Sequence, residues 1–195
     1  MVVGLGNPGT GYEASRHNVG FRAVEALATR AGTTFRRRRY RSLFVLGNLH
    51  GEELLLVKPL TFMNDSGSAV SAWQQALGLD PVRIIVIHDD LDLPTSQLRI
   101  KPGGGHGGHK GVRSIIEALG SADFLRVKVG IGHPRCGSDP VDHVLGPFEE
   151  AERDEMKMAV GRAAEAVEVL LQEGLEAAMN RYNIRTARRQ GRTDQ

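Results

Sequence analysis

Short apolar runs that alternate with helix-like segments are the feature that most constrains the fold of this chain. "MVVGLG" at the start, "RIIVIH" at 83–88 and "FLRVKVGIG" at 124–132 are typical of buried strands. Between them, "VGFRAVEALATRAG" at 19–32 and "GVRSIIEALG" at 111–120 have apolar residues at helical spacing, with Asn18 as the candidate N-cap of the first. Strands that alternate with helices predict an α/β protein.

The remaining segments complete a mixed sheet. "SLFVLGNLHGEELLLVKP" predicts a hairpin that turns near His50 and Gly51, and "SGSAVSAWQQALGL" predicts a helix closed by Gly78. A further strand is expected around residues 97–101, and one long helix from Pro147 to near Asn180. We therefore expect a single globular α/β domain over residues 1–184, built on a twisted, mixed and mostly parallel β-sheet with helices on both faces. A basic tail, 185–195, follows it.

Composition excludes several classes of protein. The one cysteine, Cys136, rules out an internal disulfide and a cysteine-based metal cluster within one chain. The apolar runs are far shorter than the roughly 20 residues that cross a bilayer, and the N-terminus does not resemble a signal peptide. A cytoplasmic protein without a membrane partner is expected. The net charge is only +2, but "RRRRYR" at 36–41 and "RTARRQGR" at 185–192 concentrate cations, which suits either RNA phosphates or a solvated surface.

Four polar motifs follow predicted strands. They are "GNPG" after the first strand, "KPLTFMN" at the end of the hairpin, "HDDLDLP" after "RIIVI", and the glycine-rich "KPGGGHGGHKG" at 101–111. Sites in α/β folds lie outside the carboxyl ends of the strands. The four loops are therefore expected to meet at one edge of the sheet and form a single cleft.

Each motif has more than one interpretation. "GLGNPG" matches the dinucleotide-binding pattern, but no helix begins inside it to face a pyrophosphate, so presentation of the Asn7 amide is favoured. The acids of "HDDLDLP" suit a hard cation, yet successive strand residues point to opposite faces. A single carboxylate, Asp89, is better suited to orienting a histidine, and a surface-turn role is expected for Asp90 and Asp92.

The candidate histidines and amides also have structural alternatives. His17 lies just before a helix, where it is either a residue of the helix start or a general base. His106 and His109 have the spacing of a zinc pair, but no third ligand follows. Asn64 is either the N-cap of the next helix or a donor to a developing oxyanion. With no nucleophile elbow and no base beside Cys136, attack by water is the favoured chemistry.

Five segments, in this order over residues 2–134, resemble the bacterial peptidyl-tRNA hydrolase family: "VVGLGNPGTGYEASRHNVGF", "KPLTFMNDSG", "HDDLDLP", "GGGHGGHKGVRSI" and "FLRVKVGIGHP". The resemblance implies hydrolysis of the ester that joins a peptide to the terminal ribose of tRNA, which recycles tRNAs from stalled ribosomes. It also implies a monomeric α/β protein that needs no cofactor and no metal.

The resemblance implies roles for individual residues. His17 matches the family's general base and Asp89 the residue that orients it, while Asn7 and Asn64 match the asparagines that position the substrate and stabilise the oxyanion. Tyr12 matches a tyrosine that lines the cleft. The other residues expected to bind substrate are Phe62, Met63, His109 and Lys110 in the cleft, and Lys101 and Lys128, which match residues that grip the 5′-phosphate end of the tRNA.

One residue departs from the family pattern. Lys110 stands where the family usually has an asparagine that contacts the peptide, and lysine donates hydrogen bonds but does not accept them. We expect Lys110 either to donate to a peptide carbonyl or to face an RNA phosphate.

Two rival functions stay open. One is an RNA-binding protein of the same fold without hydrolase activity, like the plant relatives that serve in splicing. The other is a nicotinamide-dependent enzyme that uses "GLGNPG".

Overall fold

A seven-stranded mixed sheet with helices on both faces forms the frame of residues 1–134 and 137–183, which are the residues described by this computed structural model. The strands are β1 (Val2–Gly4), β2 (Arg37–Arg39), β3 (Ser42–Leu49), β4 (Glu52–Pro59), β5 (Ile85–Asp90), β6 (Leu98–Pro102) and β7 (Leu125–Gly130). The helices are α1 (Val19–Arg30), α2 (Ser66–Leu77), α3 (Lys110–Leu119), α4 (Pro140–Leu145), α5 (Glu150–Gln172) and α6 (Gly174–Tyr182). The predicted α/β class is confirmed.

The sheet has parallel strands at its centre and antiparallel strands at its edges. Its order is β2-β3-β4-β1-β5-β7-β6, and β4, β1, β5 and β7 run parallel to one another. β3 is antiparallel to β2 and β4, and β6 is antiparallel to β7. Five strands of the described chain therefore point the same way, and the carboxyl ends of β4, β1 and β5 lie side by side.

Two hydrophobic cores cover the two faces of this sheet. On one face, α1 and α5 pack through residues such as Val24, Leu27 and Ala163. On the other face, α2 and α3 contribute a core that includes Trp73 and Ile115. The central strand β1 is buried along its whole length, as expected for a strand covered on both sides. The predicted helices on both faces are confirmed.

A glycine lets α1 come close to the sheet. A Cβ atom on Gly20 would lie 2.4 Å from the carbonyl oxygen of Ile87 and 2.5 Å from the amide nitrogen of Leu5, closer than real Cβ atoms approach other atoms. The start of α1 is thus held directly against the ends of β1 and β5. This contact brings the residues before α1, including His17, to the carboxyl edge of the sheet.

Several local predictions are confirmed and one is wrong. The β3–β4 hairpin turns at His50 and Gly51, which both have positive φ, and Gly78 ends α2 in the left-handed conformation. The single helix predicted from Pro147 to Asn180 is instead two helices, because Gly174, with a φ of 85°, begins α6 after the end of α5. The short helix α4 and the edge strand β2 were not predicted.

The glycine-rich loop was predicted to leave the sheet at the same edge as the other motifs, and this is wrong. Because β6 is antiparallel to β7, residue 103 follows β6 at the opposite edge, where its amide donates to Phe124. The loop then returns across one face, where the buried guanidinium of Arg126 donates to the carbonyls of Gly104 and Gly105. It reaches the cleft only at its end, near His109.

Some predictions fall on residues outside the described part of the chain, namely Cys136 and the basic tail at 185–195. None of the helices within residues 1–134 and 137–183 has both the length and the apolar character that crossing a bilayer requires.

Candidate active site

A cleft of about 550 Å³ opens at the carboxyl ends of β4, β1 and β5. Ten of the eleven residues expected to act in catalysis or substrate binding line it: Asn7, Tyr12, His17, Phe62, Met63, Asn64, Asp89, His109, Lys110 and Lys128. Lys101 lies elsewhere, exposed on β6 opposite Arg126. The cleft expected from the four motifs therefore exists, although the glycine loop reaches it by a different path.

His17 is held by a buried carboxylate. It lies in a short 3₁₀ turn, residues 16–18, immediately before α1, and its side chain is almost fully buried. Its Nδ1 is 2.8 Å from both carboxylate oxygens of Asp89, which sits near the end of β5. The two residues are 72 positions apart in the chain, so the parallel pairing of β1 with β5 is what brings them together.

His109 contacts the same carboxylate and also begins α3. Its Nδ1 accepts hydrogen bonds from the backbone amides of Gly111 and Val112, at 3.1 and 3.2 Å. Because backbone amides only donate, Nδ1 is the unprotonated nitrogen, and Nε2 carries the proton. Nε2 donates to Asp89 Oδ1 over 2.9 Å.

These contacts keep Asp89 ionised. Burial alone would raise the pKa of Asp89, but the electrostatic fields and the N–H hydrogen bonds of His17 and His109 outweigh it and hold the pKa well below its ordinary range. An ionised carboxylate only accepts hydrogen bonds, so Nδ1 of His17 is the protonated nitrogen. The lone pair of His17 therefore lies on Nε2.

A third histidine packs beside this group. The ring of His88 lies 4.7 Å from that of His109, and its Nδ1 donates to the backbone carbonyl of Asp89. Burial, followed by the field of His109, lowers the pKa of His88 well below its usual value. His88 is accordingly a neutral neighbour that adds no charge to the group.

Asn7 and Asn18 form a tethered pair at the end of β1. The Asn18 side chain accepts from the backbone amide of Asn7 at 2.7 Å and donates to its carbonyl at 3.0 Å. Asn18 occupies the N-cap position of α1 as predicted, but its side chain does not cap the helix. Asn7 Oδ1 accepts from the backbone amide of Met63 at 2.8 Å, which leaves Nδ2 as the amide donor beside the cleft.

The residues from Phe62 to Asn64 form one wall. Met63 is buried, while Phe62 is 60% exposed and makes an edge-to-face contact with Tyr12, with ring centroids 6.4 Å apart. Asn64 is exposed in the 3₁₀ turn before α2. The alternative role of Asn64 as an N-cap is wrong, since Asp65 occupies that position.

The cations of the site differ in their surroundings. Lys128, on β7, forms an ion pair with Asp90. A surface-turn role was predicted for both Asp90 and Asp92, but of the two only Asp92 is exposed. Lys110 is exposed at the first position of α3 and has no ion pair within the described chain.

Sequence reasoning missed the tether of the His17 turn. Arg16 is buried and donates two hydrogen bonds to Glu152 of α5, at 2.9 and 2.6 Å. Its guanidinium also lies 4.6 Å from the centre of the Phe148 ring. The only signal in the sequence was its place in "SRHN", next to the histidine.

Three side chains in the cleft lie close enough together to share a metal ion. Candidate ligand atoms of His17, Asp89 and His109 lie within 4.8 Å of one another. His17 Nδ1 and His109 Nε2 both donate hydrogen bonds to Asp89. These nitrogens carry protons and are therefore not free to bind a metal ion. The zinc-pair interpretation of His106 and His109, which the sequence already disfavoured, gains no support, because both nitrogens of His109 are engaged and His106 Nδ1 accepts from the Gly108 amide.

The chain is similar to known proteins along nearly its whole length. The family model described as peptidyl-tRNA hydrolase matches residues 1–191. Peptidyl-tRNA hydrolases from Chloroflexus aurantiacus and Frankia alni are 50% and 49% identical to the chain, over 94% of it and 98% and 93% of their own lengths. The crystal structure of peptidyl-tRNA hydrolase from Acinetobacter baumannii superposes with a TM-score of 0.88 at 38% identity, covering 93% of each chain. The chain belongs to the peptidyl-tRNA hydrolase family.

Proposed function

We propose that this protein hydrolyses the ester bond of peptidyl-tRNA, releasing peptide and free tRNA, with His17 as the general base. The observation that carries the proposal is the pair of contacts from His17 and His109 to Asp89. These contacts leave the lone pair of His17 on Nε2 while the opposite nitrogen donates to a buried anion. A histidine in this state is ready to accept a proton from water.

The reaction follows from this arrangement. His17 Nε2 takes a proton as a water oxygen attacks the ester carbonyl, and a tetrahedral intermediate forms. Asp89 stabilises the resulting imidazolium through Nδ1. When the intermediate collapses, the bond between the carbonyl carbon and the ribose oxygen breaks, and the imidazolium returns its proton to that oxygen. The tRNA leaves with a hydroxyl and the peptide with a carboxylic acid, which releases its proton to water and becomes a carboxylate.

Two side-chain amides are assigned to the oxyanion. Asn7 has Oδ1 occupied by the Met63 amide, so its rigidly held Nδ2 is the group that donates. Asn64, the residue after Met63, also lines the cleft and supplies a second donor. Fixed donors aimed at a developing negative charge are typically worth about 10²–10³ in rate each.

The two halves of the substrate are assigned to different parts of the cleft. Tyr12 and Phe62 offer aromatic surface, and Val141 of α4 adds exposed apolar surface, which suits the peptide. Lys110 and Lys128 give one side a positive character that suits phosphate. Lys101 lies outside the cleft, on the strand that ends at the opposite edge of the sheet, so any phosphate that it holds lies away from the ester.

The proposal includes action as a monomer in the cytoplasm without a metal or cofactor. The catalytic groups that it names all come from one chain. The nitrogens of His17 and His109 that face Asp89 already donate hydrogen bonds to it. The rival function, RNA binding without hydrolysis, predicts tRNA binding but no ester cleavage. The nicotinamide-dependent alternative predicts binding of NAD or NADP.

The test is hydrolysis of a peptidyl-tRNA carrying a labelled peptide, with and without EDTA. We expect turnover in both conditions, and a fall of about 10²–10⁴ in rate for His17→Ala. His50→Asn is the matched control, because His50 is a distant hairpin residue with positive φ that asparagine tolerates. It is expected to keep the parental rate. Parental activity in His17→Ala, or none in the unmodified protein, contradicts the proposal.

A further inference from the structure

The hairpin of residues 36–41, here called the arginine hairpin, is a strongly charged surface that the proposed reaction does not use. It contains β2, and all five of its arginines are exposed. Arg36, Arg37, Arg38 and Arg39 form no ion pair with any acid in residues 1–134 and 137–183. Four neighbouring guanidinium groups are thus left without an anion.

The turn of this hairpin is strained. Tyr40 and Arg41 have φ values of 47° and 53°, the left-handed region that non-glycine residues rarely occupy. Two-residue hairpin turns of this kind normally use asparagine and glycine. A left-handed backbone is unfavourable for residues with large side chains, and a change to asparagine and glycine would relieve this strain. The presence of two large side chains at this turn indicates that the side chains themselves have a use.

The strained turn is held firmly by its neighbours. The Tyr40 ring packs edge-to-face on Trp73 with centroids 4.9 Å apart. Arg41 forms an ion pair with Asp65, with Nη2 2.7 Å from Oδ2. Its Nη1 donates a hydrogen bond to the Ser68 hydroxyl over 3.0 Å. These contacts fix the turn to α2 and to the residue next to Asn64, which lines the cleft.

The hairpin stands at the same edge of the sheet as the cleft. β2 points in the same direction as β4, so its carboxyl end and the turn at Tyr40 lie at the carboxyl edge. β2 is two strands away from β4, which is about 10 Å at the usual spacing. The cleft therefore has Lys128 on one side and the arginine hairpin on the other.

Aromatic rings orient two of the free arginines. The guanidinium of Arg37 lies 5.0 Å from the centre of the Phe44 ring. The guanidinium of Arg39 lies 4.7 Å from the centre of the Tyr40 ring. Stacked guanidinium groups lose less freedom when they bind a phosphate, and their planar fork matches phosphate oxygens. Cations also protect edge strands from pairing with other chains, but that protection does not require a strained turn or stacked arginines.

We propose that the arginine hairpin binds the phosphate backbone of the tRNA whose peptidyl end occupies the cleft. The inference rests on the proposed function, since the ester in the cleft is what brings RNA to this edge of the sheet. It adds a second RNA-binding surface, on the opposite side of the cleft from Lys128 and Lys101.

The test compares three variants in their binding of deacylated tRNA across a salt series. Arg37→Gln/Arg38→Gln/Arg39→Gln removes three charges, and the corresponding triple lysine variant keeps them. The control, Arg153→Gln/Lys157→Gln/Arg162→Gln, removes three exposed charges from α5, which packs on the opposite face of the sheet from α2. We expect the first variant to lose about tenfold in affinity at low salt, with a slope of log K against log salt shallower by about 2. The lysine variant and the α5 control should retain most of the affinity.

Hydrolysis separates this proposal from the proposed function. A peptidyl ester of a single nucleoside carries no backbone phosphate for the hairpin to bind, so its turnover reports on the cleft alone. We expect the glutamine variant to lose kcat/KM on full-length peptidyl-tRNA but not on the nucleoside ester. Unchanged tRNA affinity and salt slope would overturn the inference, as would equal losses in the lysine variant. Absence of hydrolysis in the unmodified protein would overturn the proposed function while leaving the tRNA-binding result interpretable.

Discussion

One imidazole ring, that of His109, both caps α3 and donates to Asp89. Its Nδ1 accepts from two amides of the first turn of the helix, and its Nε2 lies 2.9 Å from Asp89 Oδ1. Because backbone amides only donate, the ring caps α3 through an unprotonated Nδ1. His109 therefore supports the anion that orients His17 and is not itself a base.

The two functions of His109 can be separated by substitution. Asparagine is a good N-cap but is too short to replace Nε2, whereas alanine replaces neither. We expect His109→Ala to be less stable than His109→Asn by about 1 kcal/mol in urea unfolding. Both variants should lose a similar factor in kcat. Equal stability of the two would show that the ring does not cap α3, and parental kcat in His109→Asn would show that its contact with Asp89 has no role in catalysis.

The ionised state of Asp89 predicts a pH-dependent contribution to stability. Its pKa is lowered on folding, so its charge stabilises the native state above its ordinary pKa of about 4 and loses that effect as the pH falls. We expect Asp89→Asn to be less stable than the parent by about 2–4 kcal/mol at pH 7. This difference should shrink steadily below about pH 4. Other carboxylates contribute to both proteins and cancel, so a difference that does not change with pH would contradict the assignment.

The pair formed by Arg16 and Glu152 is predicted to hold the His17 turn in place. Arg16 lies beside His17, and its hydrogen bonds lower the pKa of Glu152. Glu152→Gln removes the charge but can still accept from the Glu149 amide, so the start of α5 is preserved. We expect about 2 kcal/mol of lost stability in Glu152→Gln, and a fall in kcat with little change in KM.

Arg16→Lys is the companion variant, since it keeps the charge and loses the two-pronged geometry. A double-mutant cycle with Glu152→Gln should give a coupling free energy of about 1–2 kcal/mol. Additive effects on stability, or a change in KM alone, would show that the pair does not position the catalytic turn.

Motifs that follow parallel strands allowed the position of the cleft to be predicted, because the carboxyl ends of parallel strands share one edge of the sheet. The residues alone offered Asp89 as a carboxylate suited to orienting a histidine. The family resemblance named His17 as that histidine, and the structure places the two side chains in contact. The alternation of strands and helices gave the α/β class for a similar reason, because each element carries its own period of apolar residues.

The features that were missed depend on contacts without a local signal. The direction of β6 is set by its pairing with β7, and nothing within "LRIKP" indicates it, so the path of the glycine loop was mispredicted. Arg16 and Glu152 are 136 positions apart and meet only because α5 crosses the start of α1. The break between α5 and α6 was visible as Gly174, but a glycine inside a helical pattern is often tolerated.

Lys110 replaces the asparagine that the family usually has, and we expect this change to alter how the site binds RNA. Its exposed ammonium at the first position of α3 lies near the positive end of the helix dipole, which is unfavourable by about 0.3–1 kcal/mol. With no acidic partner in the described chain and a place in the cleft, it is expected to bind RNA phosphate. Lys110→Asn should therefore be slightly more stable than the parent and should bind tRNA with a salt slope shallower by about 0.7–0.9. A raised KM with an unchanged slope would assign Lys110 to the peptide instead.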